Sequence, residues 1–386
     1  MWLKLDFEFS EEQKLIKKSA EEFCRKEVSP YIDKWLKDRI FPRELMKKCA
    51  SIGWTGMNIR EEYGGTPLDN VSQGIITEVI GKYEVPTQIF LSLQLSRLLN
   101  YATEECKEKF TGKFLDGDLI ICGGFTEPGC GSDAAAITTR AVKDGGEYLI
   151  NGEKACISGP LYSDIFVISA KTAEIPGKPH KAISLILVEK DREGVEAYEL
   201  ETMAPGFKGD FGGVKFDNVR VPVANLIGEE NKGFYLLMNE FNLIRVHVAL
   251  MALGAAEKSI EEAIEYAKQR RAFGLPISKF QAVSFRLAEH WTKIEAAKLL
   301  AYKALWLADK GIPSWAEASA AKWYGCEVAF NAINDALQTY GAYGYTTEYP
   351  VERRFRAIRG ALIGDGTGDI QKLIISRILF GREYSP

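Results

Sequence analysis

The chain has 386 residues, 46% hydrophobic and 26% charged, with 49 basic and 53 acidic side chains and a formal net charge of −4. It is longer than one usual domain of ~100–200 residues, its composition excludes a disordered chain, and its charge weighs against a nucleic-acid binder that relies on bulk positive charge. No run reaches the ~18 consecutive apolar residues of a transmembrane segment, and residues 1–13 carry acids where a signal peptide needs an apolar run, so a cytoplasmic protein is expected.

The first third reads as helical. Ser10 followed by Gln13 has the capping-box pattern, and Leu15, Ile16, Ala20, Phe23 and Cys24 recur at helical spacing. Further helical patterns cover about 43–52, 72–85 and 87–115, broken by the turn-rich stretch 61–69. Near residue 120 the texture becomes β. Tyr148-Leu149-Ile150 leads into Asn151-Gly152, a hairpin signal. Ile165–Ser169, Ala182–Val188 and Val214–Val221 read as strands. After Gly228 long helical patterns return near 231–268, 278–310, 314–340 and 366–380. Helices, then strands, then helices make an α+β layout, without the alternation of a doubly wound sheet. The expected domains are 1–119 (α-helical), 120–228 (β) and 229–386 (α-helical).

The seven cysteines are odd in number and form no Cys-x-x-Cys, and His180, His247 and His290 lack metal-ligand spacing. Neither a disulfide framework nor a metal site is expected. The two common nucleotide fingerprints, G-x-G-x-x-G after a strand and G-x-x-x-x-G-K-[ST], are absent, as is a G-x-S-x-G elbow.

Three glycine-marked stretches remain. Gly123–Asp133 lets backbone N–H groups approach a ligand, with Thr126 and Ser132 adding hydroxyls; the plain alternative is a tight domain-crossing loop. Arg270-Arg271-Ala272-Phe273-Gly274 ends a predicted helix and offers two cations beside a ring; the plain alternative is favourable charge at a helix C-terminus. Gly364-Asp365-Gly366-Thr367-Gly368-Asp369 feeds the last helix, where Asp369 is a candidate N-cap and Asp365 is left for another role.

Taken in order, these stretches resemble the acyl-CoA dehydrogenases. Phe125–Asp133 is similar to the family's first signature and Gln338–Tyr345 to its second. Asp365-Gly366-Thr367-Gly368-Asp369-Ile370-Gln371 stands where the family has Glu-Gly-Thr-(Ser/Ala)-x-Ile-Gln. The resemblance implies an N-terminal helical domain, a middle β-barrel or sandwich, a C-terminal four-helix bundle and a homotetramer. It implies FAD as cofactor, an acyl-CoA substrate and, outside the oxidases, an electron-transfer flavoprotein as acceptor. A base removes the α-proton while the β-hydrogen leaves as hydride to flavin N5. By motif position the base is Asp365, and the backbone N–H of Gly366 stabilises the thioester oxygen. Phe125, Thr126 and Ser132, then Cys156, Ile157 and Ser158, match flavin contacts, with Ser132 also near CoA. Arg270, Phe273 and Gln281 match residues that grip the FAD of a neighbouring subunit. Gln338, Gly341, Ala342, Thr367 and Asp369 match further cofactor contacts, and Asn242, Arg245, Gly364 and Gly366 match the CoA and acyl surroundings.

Departures from the pattern narrow the substrate. Asp365 replaces the usual Glu and withdraws the carboxylate by roughly 1.5 Å, one bond length. Gly364 stands where an aromatic is frequent, and Cys156 where Trp is frequent. Ile244 occupies the position that carries a relocated base in some members. A shorter base in a roomier pocket suits a bulky acyl group branched at the α-carbon. This resembles the alicyclic dehydrogenases that act on cyclohexanecarboxyl-CoA or cyclohex-1-ene-1-carboxyl-CoA in anaerobic degradation. Residues 85–102 contain no Asp or Glu to serve a 1,4-elimination, which favours 1,2-desaturation. The alternatives are a short or branched aliphatic acyl-CoA dehydrogenase, an oxidase, and a flavin-bound scaffold without activity.

Overall fold

The capping signal at Ser10 is realised in the computed structural model, which describes residues 8–204 and 206–385. The Ser10 hydroxyl accepts from the Gln13 N–H at 3.1 Å and the Gln13 side chain accepts from the Ser10 N–H at 3.1 Å. This box opens α1 (Glu11–Glu27), with Glu11 and Glu12 at the positive end of its dipole. Ser10→Ala is expected to cost ~1 kcal/mol, read as a lowered urea midpoint at unchanged slope. Most of the N-terminal stretch bearing on the signal-peptide reading, residues 1–7, lies outside the described residues.

Helices α2 (Ile32–Asp38), α3 (Glu44–Ser51), α4 (Asn70–Lys82), α5 (Thr87–Leu95) and α6 (Glu104–Leu115) follow. The single helical run expected over 87–115 is therefore two helices. A 3₁₀ segment, Ser96–Tyr101, ends the first, and the Thr103 hydroxyl caps the second by accepting from the Cys106 N–H.

Eight strands come next: β1 (Ile121–Gly124), β2 (Arg140–Asp144), β3 (Glu147–Ser158), β4 (Ile165–Lys171), β5 (Ile183–Glu189), β6 (Val195–Glu199), β7 (Phe211–Pro222) and β8 (Leu226–Ile227). They form one sheet in the order β6-β7-β3-β2-β4-β5-β8, with β1 parallel to β4. Tyr148, Ile150, Ile157, Phe166, Ile186, Val214 and Val219 fill its core. The hairpin expected at Asn151-Gly152 is not a turn. β3 runs through both residues, and the tight turn is Gly145-Gly146, with Asp144 paired to Glu147. Gly152 sits at φ +148 where a Cβ would come within 2.5 Å of the Thr139 hydroxyl, and the β3–β7 register shifts between Ile150 and Gly152. A close backbone approach at a bulge selects glycine as strongly as a turn does.

The helical remainder comprises α7 (Gly233–Gln269), α8 (Gln281–Asp309), α9 (Trp315–Thr339), α10 (Val351–Ala361) and α11 (Gly368–Phe380), with a two-stranded ribbon of β9 (Arg271–Ala272) and β10 (Leu275–Pro276). Arg271–Gly274 thus belongs to this hairpin, which follows the end of α7; Phe273 at φ +50 and Gly274 at φ +82 make its turn. Among the described residues α7 is long and apolar enough to cross a membrane, yet 67% of its most apolar window is buried inside the protein, as in a core helix.

The chain resolves into two compact units. One holds residues up to Tyr31, Asp69–Val85 and Val246–Ile358; the other holds Ile32–Leu68, Pro86–Arg245 and Arg359 onward. The first is helical, with α4 packed on α1 and α8, and α8 on α9. Its buried Glu78 carboxylate accepts from Lys298 at 3.2 Å and the Tyr302 hydroxyl at 2.7 Å. The second contains the sheet, with α5 packed on β1.

Candidate active site

Asp365 stands in a left-handed backbone at φ +55, followed by Gly366 at φ +95. Such a conformation is unfavourable for a residue with a Cβ, so neighbours must hold it. The Arg245 Nε donates to the Asp365 carbonyl at 3.1 Å. The Gln371 amide donates to the same carbonyl at 3.2 Å and to the Gly366 carbonyl at 3.0 Å. A Cβ on residue 366 would lie 2.6 Å from the Gln371 amide nitrogen, so this turn requires glycine. In a trans peptide the carbonyl and the next N–H point in opposite directions. Anchoring the Asp365 carbonyl on Arg245 and Gln371 therefore aims the Gly366 N–H away from them.

Asp365 is half-buried, and Arg245, from α7, is buried. Burial pushes the Arg245 guanidinium below its ordinary pKa, and the Asp365 charge opposes that shift. Asn242, one turn earlier on α7, is also buried, and its side-chain oxygen finds no hydrogen-bond partner among the described residues. An orphaned acceptor of this kind costs ~1–3 kcal/mol, a cost that a ligand N–H removes. Ile244 is buried and apolar, so α7 brings no carboxylate there. Gly364 is exposed; among the described residues other than its two chain neighbours, a Cβ on it would meet within 4 Å only the Gly360 carbonyl, at 3.6 Å. The cap of α11 is Thr367, whose hydroxyl accepts from the Ile370 N–H at 3.4 Å. Asp369, the expected cap, lies one step inside the helix because the turn needed to place Asp365 ends two residues earlier.

A second group of predicted residues lies on the sheet of the same unit. Phe125 and Thr126 follow β1 and are half-buried, and Ser132 is exposed. Phe125 meets Phe241 edge-on, with ring centroids 5.5 Å apart. The Ala155 N–H donates to the Thr126 carbonyl at 2.9 Å, tying the loop to β3. At that point β3 bulges: Lys154 pairs with Val214 but Ile157 pairs with Gly212. The bulge puts Cys156 at φ +57 and exposes its side chain. Ile157 points into the sheet core, which leaves its backbone for any ligand, and Ser158 is half-buried.

The remaining predicted residues, Arg270, Phe273, Gln281, Gln338, Gly341 and Ala342, lie in the helical unit, and all are exposed. The Tyr266 and Tyr340 rings, 4.4 Å apart, link the end of α7 to the turn that carries Gly341. Phe273 is 95% exposed at the tip of its hairpin.

Sequence reasoning missed Gln371 as the support of the turn, although it closes the quoted motif. It also missed Lys154 and Glu127. Strand alternation was the available signal for Lys154: it places a lysine on the inward face of β3.

Family profiles match three successive segments: acyl-CoA dehydrogenase N-terminal domain over residues 10–118, middle domain over 122–219, and C-terminal domain over 231–380. The chain belongs to the acyl-CoA dehydrogenase family. It is 38% identical over 372 residues to the 3-(aryl)acrylate reductase of Clostridium sporogenes, covering 95% of this chain and 98% of that protein. The crystal structure of an acyl-CoA dehydrogenase from Geobacillus kaustophilus has a TM-score of 0.92 at 36% identity, covering 97% of this chain and all of the other (100%). The FAD complex of PigA has a TM-score of 0.91 at 28% identity, covering 98% and 100%.

This acyl-CoA dehydrogenase is an oxidoreductase acting on the CH–CH group of acyl-CoA, and FAD is its cofactor. Its residues suit that cofactor. The Phe125–Thr126 loop and the bulge at Cys156, tied together by the Ala155–Thr126 hydrogen bond, bring an aromatic ring, the exposed Cys156 side chain and the hydroxyl-bearing Thr126 and Ser158 to one ledge of the sheet. Arg270 supplies a cation suited to a diphosphate.

Proposed function

We propose that this acyl-CoA dehydrogenase converts cyclohexanecarboxyl-CoA to cyclohex-1-ene-1-carboxyl-CoA with Asp365 as base. The observation that carries the reading is the short acid of the 364–366 turn standing beside the open space at Gly364. A carboxylate withdrawn by roughly 1.5 Å requires the substrate α-carbon to come closer, and an uncrowded turn lets a ring do so. The aryl acid in the name of the 38%-identical reductase supports a framework that admits rings.

The Asp365 carboxylate takes the α-proton, and the electron pair of that C–H bond becomes part of the new Cα=Cβ bond. The Gly366 N–H, aimed by the anchored Asp365 carbonyl, donates to the thioester oxygen as charge builds there. The Asn242 side-chain oxygen accepts from an amide N–H of the CoA arm, and Arg245 holds the turn. FAD, when bound, accepts the β-hydrogen as hydride. Phe125, Thr126, Ser132, Cys156 and Ser158 present the ledge for the flavin, with the backbone of Ile157; Thr367 and Asp369 add contacts after the base. Arg270, Phe273 and Gln281 serve the cofactor of a neighbouring copy in a homotetramer, and Gln338, Gly341 and Ala342 add further cofactor contacts. An electron-transfer flavoprotein takes the electrons onward in the cytoplasm.

Steady-state rates with cyclohexanecarboxyl-, isobutyryl- and butyryl-CoA test the reading. The ring thioester is expected to have the highest kcat/KM. A ring thioester slower than both aliphatic ones ends the alicyclic assignment in favour of a short or branched-chain enzyme.

A further inference from the structure

Lys154 is fully buried, with 0% of its side chain exposed, and Glu127 is 3% exposed; their charged atoms are 2.8 Å apart. Neither belongs to the reacting centre. A buried ion pair is an expensive way to gain stability, since apolar residues of similar volume do as well or better. Its geometry points to a different use.

Glu127 lies inside the loop that carries Phe125, Thr126 and Ser132. One carboxylate oxygen accepts from the Thr138 N–H at 2.6 Å and the Thr138 hydroxyl at 2.7 Å. The other accepts from the Thr139 N–H at 2.9 Å and from Lys154 at 2.8 Å. Glu127 also closes its own loop, exchanging two backbone hydrogen bonds with Cys130 at 3.0 and 3.1 Å. Lys154 stands on β3, two residues before Cys156 at the bulge, and its ammonium reaches Ser169 on β4 at 3.3 Å. Its stem passes Gly124, where a Cβ would lie 3.2 Å away. One carboxylate and one ammonium thus tie together the loop 125–133, the approach to β2, the bulged edge of β3, and β4. The first and third of these carry the sheet's candidate flavin contacts. Burial alone would raise the Glu127 carboxyl, but Lys154 and the surrounding donors hold it below its ordinary value.

We propose that Glu127 and Lys154 are positioning residues that set the 125–133 loop against the bulge of β3 and so determine how tightly the protein holds FAD. The inference rests on the reading of these two segments as the flavin ledge. Binding contacts must be held within about 0.5 Å of their productive geometry by the residues that support them. The expected effect is therefore on cofactor affinity itself, beyond any loss of stability.

The test uses the full chain stripped of FAD. FAD dissociation constants are measured by flavin fluorescence quenching at a temperature where each variant's circular dichroism matches the wild type. The variants are Glu127→Gln, Lys154→Met and the milder Thr138→Val, which removes one neutral donor and keeps the fold if the charge variants do not. Glu127→Gln and Lys154→Met are expected to weaken FAD binding by about tenfold or more, ~1.4 kcal/mol or above, and to shift the midpoint potential of the bound flavin. Thr138→Val is expected to weaken binding by about threefold, below that tenfold step. Dissociation constants and potentials unchanged in every folded variant, even with lowered melting temperatures, overturn the proposal and leave the pair a stability element. Ser158→Ala serves as control. If it weakens FAD while the pair variants do not, the ledge reading survives and the positioning role falls; if it too is silent, both fall.

Discussion

Asp365→Asn should lower the rate of flavin reduction by substrate by about 10²–10⁴-fold, the usual contribution of a positioned general base, while FAD stays bound. The amide keeps the size of the side chain and its φ +55 backbone, still held by Arg245 and Gln371, so a loss reports on the missing proton acceptor. Anaerobic stopped-flow bleaching of the bound flavin by cyclohexanecarboxyl-CoA measures it directly. A variant that bleaches at the wild-type rate removes Asp365 from the chemistry. The companion change, Asp365→Glu, separates reach from charge. The added methylene extends the carboxylate by roughly 1.5 Å. On the alicyclic reading, a longer acid should speed butyryl-CoA and slow the ring thioester. If both substrates change alike, the short acid is not what selects the acyl group.

Why the site was partly legible follows from what each residue needs locally. The Asp365–Gly366 turn could be read because glycine at 366 answers a local demand: a side chain would collide with Gln371 five residues on. The α1 cap was legible for the same reason, its donors and acceptors lying within three residues. Asn151-Gly152 misled because the demand for glycine came from Thr139, on a segment distant in sequence. Glu127 and Lys154 are 27 positions apart, and their pairing depends on how the loop folds back onto β3. A six-residue 3₁₀ segment split the helix expected over 87–115 without any glycine or proline to announce it. The α+β architecture survived these errors because it depends on the periodicity of long segments.

Arg354→Met should destabilise the helical unit by about 3–5 kcal/mol, the range for breaking a buried ion pair from one side. Arg354 is 5% exposed. Its Nε lies 2.8 Å from Glu84 and its Nη1 2.6 Å from Glu262, so one guanidinium joins α10 to α7 and to the segment after α4. Methionine fills much of the volume but leaves two carboxylates short of a partner. Arg353 stays 2.7 Å from Glu84 and Lys258 stays 3.5 Å from Glu262, which puts the expected loss toward the lower end. The pH dependence carries a further signature. Burial raises the Glu84 carboxyl, but Arg354 and Arg353 outweigh it and leave its pKa below the ordinary value. A carboxyl depressed in the folded state contributes stability that is fully present above its unfolded pKa of about 4.3. That contribution is lost as pH falls through the lower folded value. In the variant Glu84 keeps one guanidinium instead of two, so less stability remains to be lost on the acid side. Urea unfolding from neutral pH down past about 4.3 should show the gap between wild type and Arg354→Met narrowing as the medium becomes acid. A gap that stays constant would mean that Arg354 acts through packing of its stem and not through its charge on Glu84.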